Sequence, residues 1–229
     1  MLKIEGLNVY IGDKKILDNI NLEFDYGKLY VILGPNGSGK TSLCRAILGD
    51  ENIRKEGKII LDNEDITNKK TEEIAKYIYY SPQNPVEIEN IKIRTLLMNI
   101  LDNYEEEKIK ELGYSLGLPK DFLDRGINYN FSGGEKKRFS LLLSILLNRK
   151  ILLFDEIDSG ADIEFLMNLK NYLEKFKREG KTVILISHNI YFIKNLEMDE
   201  LIIFLGGKIK YKGGKDILEK IEKYGYSIL

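Results

Sequence analysis

Several short stretches of this chain carry residue types suited to acting on a phosphorylated ligand. Gly34-Pro35-Asn36-Gly37-Ser38-Gly39-Lys40-Thr41 fits G-x-x-x-x-G-K-[ST] at every fixed position. Glycines let a backbone turn its N–H groups inward around phosphate oxygens with no Cβ in the way. A helix starting at Ser42 adds its positive dipole end, so Ser42 joins the phosphate-binding set. Lys40 can reach the β- and γ-phosphates of a nucleotide, and the Thr41 hydroxyl can ligate Mg²⁺. ATP and Mg²⁺ are therefore the expected cofactors.

Other residues fit the same chemistry. The apolar run Ile151 to Phe154 ends in Asp155-Glu156. Asp155 can hold Mg²⁺ through water, and Glu156 can orient or polarise an attacking water. His188, the only histidine, lies just past the apolar run Val183 to Ser187, where it can contact a γ-phosphate. Gln83, the only glutamine, follows Tyr80-Ser81-Pro82 and suits a Mg²⁺ or water ligand on a mobile loop. Ser132-Gly133-Gly134-Glu135 stands before a helix and forms a second phosphate-binding arrangement. One chain has no need of two, which suggests two copies facing each other across a nucleotide.

The elements that must position these groups can be traced from the pattern. Leu2 to Tyr10 and Lys15 to Asp25 read as strands joined by a Gly12-Asp13 turn. Leu29 to Leu33 reads as a buried strand entering the glycine-rich loop. Gly57 to Leu61 and the Asp62-Asn63 turn suggest a further hairpin, Thr71 to Lys76 a short helix, and Tyr77 to Tyr80 a strand. Ile93 to about Leu118 reads as helical, with Glu105-Glu106-Glu107 at a solvated helix start. Phe139 to Leu147 is so apolar that a helix there must be buried on most sides. The runs at Ile151 and Val183 read as two more buried strands, with the helix Ile163 to Lys177 between them. A helix through Asn195, a hairpin across Gly206-Gly207 and a terminal helix Asp216 to Tyr224 follow. Apolar strands alternating with helices predict an α/β fold with a mostly parallel core sheet, beside a small antiparallel sheet. In such sheets ligands bind beyond the carboxyl ends of the strands, where Gly34, Asp155-Glu156 and His188 all fall.

Composition narrows the remaining classes. The chain has 229 residues, 43% hydrophobic and 31% charged, as in a soluble globular protein. A net charge of −1 predicts no nucleic-acid or acidic-membrane partner. One cysteine, Cys44, permits no disulfide framework and fits a reducing cytoplasm; it reads either as a small buried residue or as a ligand. No apolar run approaches the roughly 20 residues of a membrane span, so no direct membrane insertion is expected. MLKIEGLNVYIG alternates like a strand and carries no signal-peptide core. Lys136-Lys137-Arg138 reads as a solvated face or as a partner contact.

Together these motifs resemble the ATP-binding-cassette (ABC) ATPase family over the whole chain. The P-loop is Gly34 to Thr41, the Q-loop Gln83 and the signature Ser132 to Glu135. Walker B is Ile151 to Asp155 with Glu156, the D-loop Ser159 to Asp162 and the switch histidine His188. The resemblance implies a P-loop NTPase with a catalytic core at 1–85 and 149–229 and a helical subdomain at about 86–148. It implies hydrolysis of ATP within an ATP-dependent homodimer, in which Ser132, Gly133 and Gly134 serve the partner's γ-phosphate. It gives Lys40, Glu156 and His188 catalytic roles, and Thr41, Gln83 and Asp155 the metal. Tyr10 is the nearest candidate for the family's adenine-stacking aromatic, with Ile11 close to the usual position. Phe131 to Arg138 reads FSGGEKKR and Asp155 to Asp162 reads DEIDSGAD. Both are similar to the SufC branch, the ATPases of Suf iron–sulfur cluster assembly, although Ala161 replaces the usual leucine and the segment from P-loop to Gln83 is short. That branch implies a SufB- or SufD-like scaffold docking between Gln83 and about Thr95.

Overall fold

The computed structural model describes residues 1–229. Strands β1 (Leu2–Ile11) and β2 (Lys14–Phe24) form a hairpin across Gly12-Asp13, and β3 (Leu29–Leu33) leads into the P-loop. Helix α1 spans Lys40–Ile47, followed by β4 (Arg54–Leu61), β5 (Glu64–Asp65), the single-turn α2 (Thr71–Ile74) and β6 (Ile78–Ser81). A helical region then carries β7 (Ile88–Lys92), α3 (Ile93–Ile100), α4 (Glu106–Ser115), β8 (Gly126–Ile127) and α5 (Gly133–Leu147). The chain closes with β9 (Ile151–Asp155), α6 (Ile163–Arg178), β10 (Thr182–Ile186), α7 (Ile190–Lys194), β11 (Glu200–Leu205), β12 (Lys208–Gly213) and α8 (Leu218–Tyr224).

The six-stranded core sheet has the order β12-β11-β3-β10-β9-β6, parallel except for the edge hairpin β11–β12. Its central strands β3, β9 and β10 are buried along their whole length, which is why they read as unbroken apolar runs rather than alternating ones. A separate antiparallel sheet has the order β2-β1-β4-β5. One apolar cluster fills the space between this sheet and one face of the core sheet, through Leu7, Phe24, Ile32 and Phe204. A second fills the other face, from Leu29 and Phe165 into the helical region at Ile93, Phe122 and Phe139. The helical region therefore shares its apolar core with the parallel sheet.

Two local features depart from the sequence pattern. The helical stretch from Ile93 splits in two, because Leu101 turns extended and the chain bends at Asp102 and Asn103 before α4. The β7–β8 ribbon carries no apolar alternation. Gly126 permits it, since a Cβ there would stand 2.6 Å from the Glu89 carbonyl oxygen. All of β7 is solvent-exposed, so no core burial marks it in the sequence.

Candidate active site

The order β3-β10-β9 sets three strand ends side by side, and the predicted groups meet beyond them. At the end of β3, Gly34 has φ +154°, and a Cβ would stand 2.2 Å from the Phe204 carbonyl oxygen. At Gly39 a Cβ would stand 2.4 Å from Leu17 Cδ2 with φ +102°. The loop is thus pressed against β11 and β2 by contacts only glycine permits. Lys40, buried at the start of α1, donates to the Gly34 carbonyl at 2.8 Å and the Pro35 carbonyl at 3.0 Å. Burial lowers its pKa, opposed by the nearby Glu156 and Asp155. Phosphate oxygens are better acceptors for this ammonium than the carbonyls it now holds.

Asp155 ends β9 with no exposed surface. Its Oδ2 accepts from the Tyr80 hydroxyl at 3.2 Å, while its buried Oδ1 has no partner. Burial raises its carboxyl pKa, against the hydroxyls of Thr41 and Tyr80, which favour the charged form. A buried carboxylate with a free oxygen and a neighbouring hydroxyl is a donor set for a hard cation. No cluster of three or more His, Cys, Asp or Glu side chains is placed to hold a metal. A cation here would need oxygens from phosphate and water as well.

Glu156 follows with φ +55°, in the left-handed region that non-glycine residues rarely occupy. Its N–H donates to the Ile186 carbonyl at 2.9 Å, which ties this conformation to β10. Backbone strain of this kind marks residues held for a purpose. Its carboxylate lies 2.9 Å from His188 Nε2 through Oε1, and its Oε2 accepts from Gln83 Nε2 at 2.6 Å. Three residues far apart in sequence are therefore in direct contact. A cavity of about 400 Å³ is lined by Asn36, Gly37, Gly39, Lys40, Thr41, Ser42, Gln83 and Glu156. A larger cavity, about 670 Å³, lies at the opposite end of the sheet among Tyr26, Arg149 and Lys181, away from this chemistry.

Ser132 is placed differently. It caps α5, its hydroxyl accepting from Glu135 N at 3.2 Å, while the Glu135 carboxylate accepts from Ser132 N at 2.7 Å. Arg125 adds a 3.3 Å contact to Glu135. Glu135 thus turns back onto its own helix start and onto Arg125. Ser132 and Gly133 are exposed, and Gly134 is half-buried. None of Ser132 to Glu135 lines the P-loop cavity; Gly133 lines a neighbouring one of about 270 Å³, shared with Gln83 and Glu156. Within one chain the two predicted phosphate-binding arrangements do not line a common cavity.

Tyr10 does not line the P-loop cavity. The Arg54 guanidinium lies 3.9 Å from its ring centroid, and its hydroxyl donates to Glu56 at 3.0 Å. Lys14 and Ile16 at the start of β2 line the cavity instead. Nothing in their spacing marks them, since the register of β2 against the P-loop decides it. Tyr80 was likewise legible only as a strand residue. Cys44 is buried in α1, where burial pushes its thiol pKa well up.

Known proteins match this chain throughout. The family model described as ABC transporter matches residues 17–159. The probable ATP-dependent transporter ycf16 of Antithamnion sp. is 34% identical over 244 residues, covering 100% of this chain and 97% of that protein. Vegetative protein 296 of Bacillus subtilis (strain 168) is 30% identical over 238 residues, covering 98% and 91%. Among solved structures, an ATP binding subunit of an ABC transporter superposes with TM-score 0.81 at 21% identity, covering 100% and 96%. A dimeric post-hydrolysis ATP-binding cassette bound to ADP and Pi gives TM-score 0.76 at 23% identity, covering 94% and 99%.

Proposed function

The chain belongs to the ABC transporter family and is an ATP hydrolase with the ATP-binding-cassette fold, and from that premise we propose that it drives iron–sulfur cluster assembly on a SufB- or SufD-like scaffold. In this reading two copies close around ATP, and the closure reshapes the scaffold. Mg²⁺, held by Thr41, Asp155 and Gln83 together with phosphate oxygens, would neutralise charge on the β- and γ-phosphates. Lys40 exchanges its carbonyl partners for phosphate oxygens. Glu156 is the general base. Gln83 and His188 each occupy one lone pair of its two oxygens and orient them, which leaves a further lone pair on each to accept a proton from water. His188 then holds the γ-phosphate and registers its loss. Ser132, Gly133 and Gly134 act on the partner's nucleotide, with Glu135 keeping that turn in shape. The core at 1–85 and 149–229 would carry the chemistry, and the helical part at about 86–148 the coupling.

The observation that carries the Suf reading is the wording of FSGGEKKR and DEIDSGAD, because its distinctive residues are used. Lys136 pairs with Glu87 at 2.5 Å, Arg138 with Asp162 at 2.7 Å, and Glu135 with Ser132. The first of these ties α5 to the stretch after Gln83, and Asn128 Nδ2 adds a 2.9 Å bond to the Val86 carbonyl. That stretch presents Val86, 70% exposed, with Ile88 and Ile91 beside it. An exposed apolar ribbon fastened to the signature helix suits a scaffold docking between Gln83 and Thr95.

A second reading is the nucleotide-binding subunit of a transporter, favoured by the relatives described as transporters. The same ribbon would then receive a membrane subunit. Affinity capture of the native protein from anaerobic extract, with mass spectrometry of the eluate, separates the two. A soluble SufB- or SufD-like partner supports cluster assembly. A membrane permease in its place means transport.

A further inference from the structure

The short strand β6 turns its two faces to two different parts of the molecule. Successive strand residues point to opposite sides of a sheet. Tyr79 packs in the apolar cluster shared with the helical region, and Tyr80 packs against the cluster that holds α1. On the first side, hydroxyls close a buried network. The Tyr79 hydroxyl donates to the Ser140 carbonyl at 2.7 Å, and the Ser140 hydroxyl donates to Ser81 Oγ at 2.6 Å. Tyr79, Ser81 and Ser140 are all buried. A satisfied buried network holds its elements in one arrangement. It fastens β6 to α5, while parallel pairing sets Ser81 opposite Phe154, the residue before Asp155.

On the second side the strand delivers one polar atom. The ring of Tyr80 is half-buried, and its hydroxyl donates to Asp155 Oδ2 at 3.2 Å. The buried Oδ1 has no partner. The bond is long for O–H···O, as bonds in catalytic sites often are before a ligand tightens them. Thr41 also stands beside this carboxylate, but the proposed function gives its hydroxyl oxygen to the cation. Tyr80 is thus the neighbour left to orient Asp155. A phenol is a neutral donor, so it fixes one oxygen without setting a positive charge against the cation.

We infer that Tyr80 is a positioning residue for the cation site: it holds Asp155 Oδ2, so that Oδ1 is the oxygen left for the cation or for a water on it. The inference rests on the proposed role of Asp155 toward Mg²⁺. Partners that orient a metal's ligands in this way typically cost about 10–100-fold in metal affinity or activity when removed.

The test uses the full chain carrying Glu156→Gln, which should retain ATP without hydrolysing it. ATP affinity is measured with Mg²⁺ and with EDTA, at a protein concentration where light scattering shows a monomer. Tyr80→Phe removes one hydroxyl and keeps the ring. It should lower ATP affinity about tenfold with Mg²⁺ and leave it unchanged with EDTA. Asp155→Asn should lose the gain from Mg²⁺. Adding Tyr80→Phe to Asp155→Asn should cost nothing more, because the carboxylate it orients is gone. If Tyr80→Phe keeps the full gain from Mg²⁺ while Asp155→Asn loses it, the inference is overturned and the metal reading stands. An equal loss with Mg²⁺ and with EDTA also overturns it and makes Tyr80 a support of the P-loop. So does a tenfold loss that persists beside Asp155→Asn, since Tyr80 then acts through some other group. If Asp155→Asn keeps the gain, or the parent shows none, the metal reading of Asp155 fails and the inference with it.

Discussion

The two arrangements predicted to bind phosphate share glycine-rich turns and helix starts but are prepared in opposite ways. The P-loop half is built into the sheet. Three adjacent strand ends fix it, Asp155 is fully buried, and Glu156 is locked in a strained conformation with both oxygens engaged. The signature half sits on the surface. Ser132 and Glu135 satisfy each other, Ser132 and Gly133 face outward, and ion pairs of Arg125, Lys136 and Arg138 fasten the helix to its surroundings. One half holds its charges buried and fixed. The other presents the start of α5 to solvent, where the proposed function has it meet the partner's nucleotide. If the site is divided between copies as proposed, the difference teaches that such a site can be rigid on one side and merely preserved in shape on the other.

The largest effect should come from the rigid half. Glu156→Gln keeps the shape of the side chain and removes the proposed base. Multiple-turnover phosphate release should fall about 10³-fold, the scale of a lost general base. ATP should be retained and pairing favoured. Near-normal turnover would remove Glu156 from that role. His188→Ala should also lose most of the activity.

The next effect tests the division itself. An added Cβ at Gly133 meets nothing within 4 Å, so Gly133→Asp places a negative charge at the start of α5 without a clash. Lys40→Ala disables the other half. Each variant alone should be almost inactive. An equal mixture should recover about a quarter of wild-type phosphate release, because random pairing gives half mixed dimers, each with one intact site of two. No recovery would mean that each chain completes its own site.

Much of the rigid half was legible because buried strands read as apolar runs and chemistry falls at their ends. Lys40, Asp155, Glu156 and His188 could be placed from that rule alone, together with the order of the elements. The contacts among them could not. Nothing in the spacing says that Gln83 and His188 share the carboxylate of Glu156, because loop conformation decides it. The helical region was harder to read. Exposed β7 has no burial to impose a period, and the bend at Asp102 interrupts a pattern that otherwise continues. Lys14 and Ile16 enter the cavity only through strand register. Tyr10 carries the right chemistry for stacking on a base, but the Arg54 guanidinium lies over its ring.

A smaller effect separates stability from function. Burial raises the Asp155 pKa above its unfolded value. As pH rises past the ordinary carboxylate pKa, the unfolded chain releases this proton while the folded chain still holds it. Stability therefore falls through the window up to the raised value and stays lower above it. Asp155→Asn removes that penalty. At neutral pH, without ligand, Tm should rise by about 2–4 °C. Below about pH 4 the gain should vanish, since both chains are then neutral at this position. ATPase activity should be lost. A fall in Tm at neutral pH would mean that the Tyr80 and Thr41 contacts outweigh the burial.

The smallest effect belongs to the surface half, and its locality is the point. Ser132→Ala removes the side-chain acceptor for Glu135 N, leaving the first turn of α5 held by Glu135 alone. Loss of such a cap costs about 1 kcal/mol. For a chain of this length the shift in Tm should be no more than about 2–4 °C. Amide exchange should quicken in the first turn of α5 and stay unchanged in β3, β9 and β10, because the cap touches none of those strands. ATP binding by the monomer should also be unchanged, since Ser132 does not line the P-loop cavity. Faster exchange reaching Glu156 or the P-loop would mean that the two halves form one cooperative unit within a chain. The surface half would then be more than a preserved shape, and its capping box would help to hold the strained base in place.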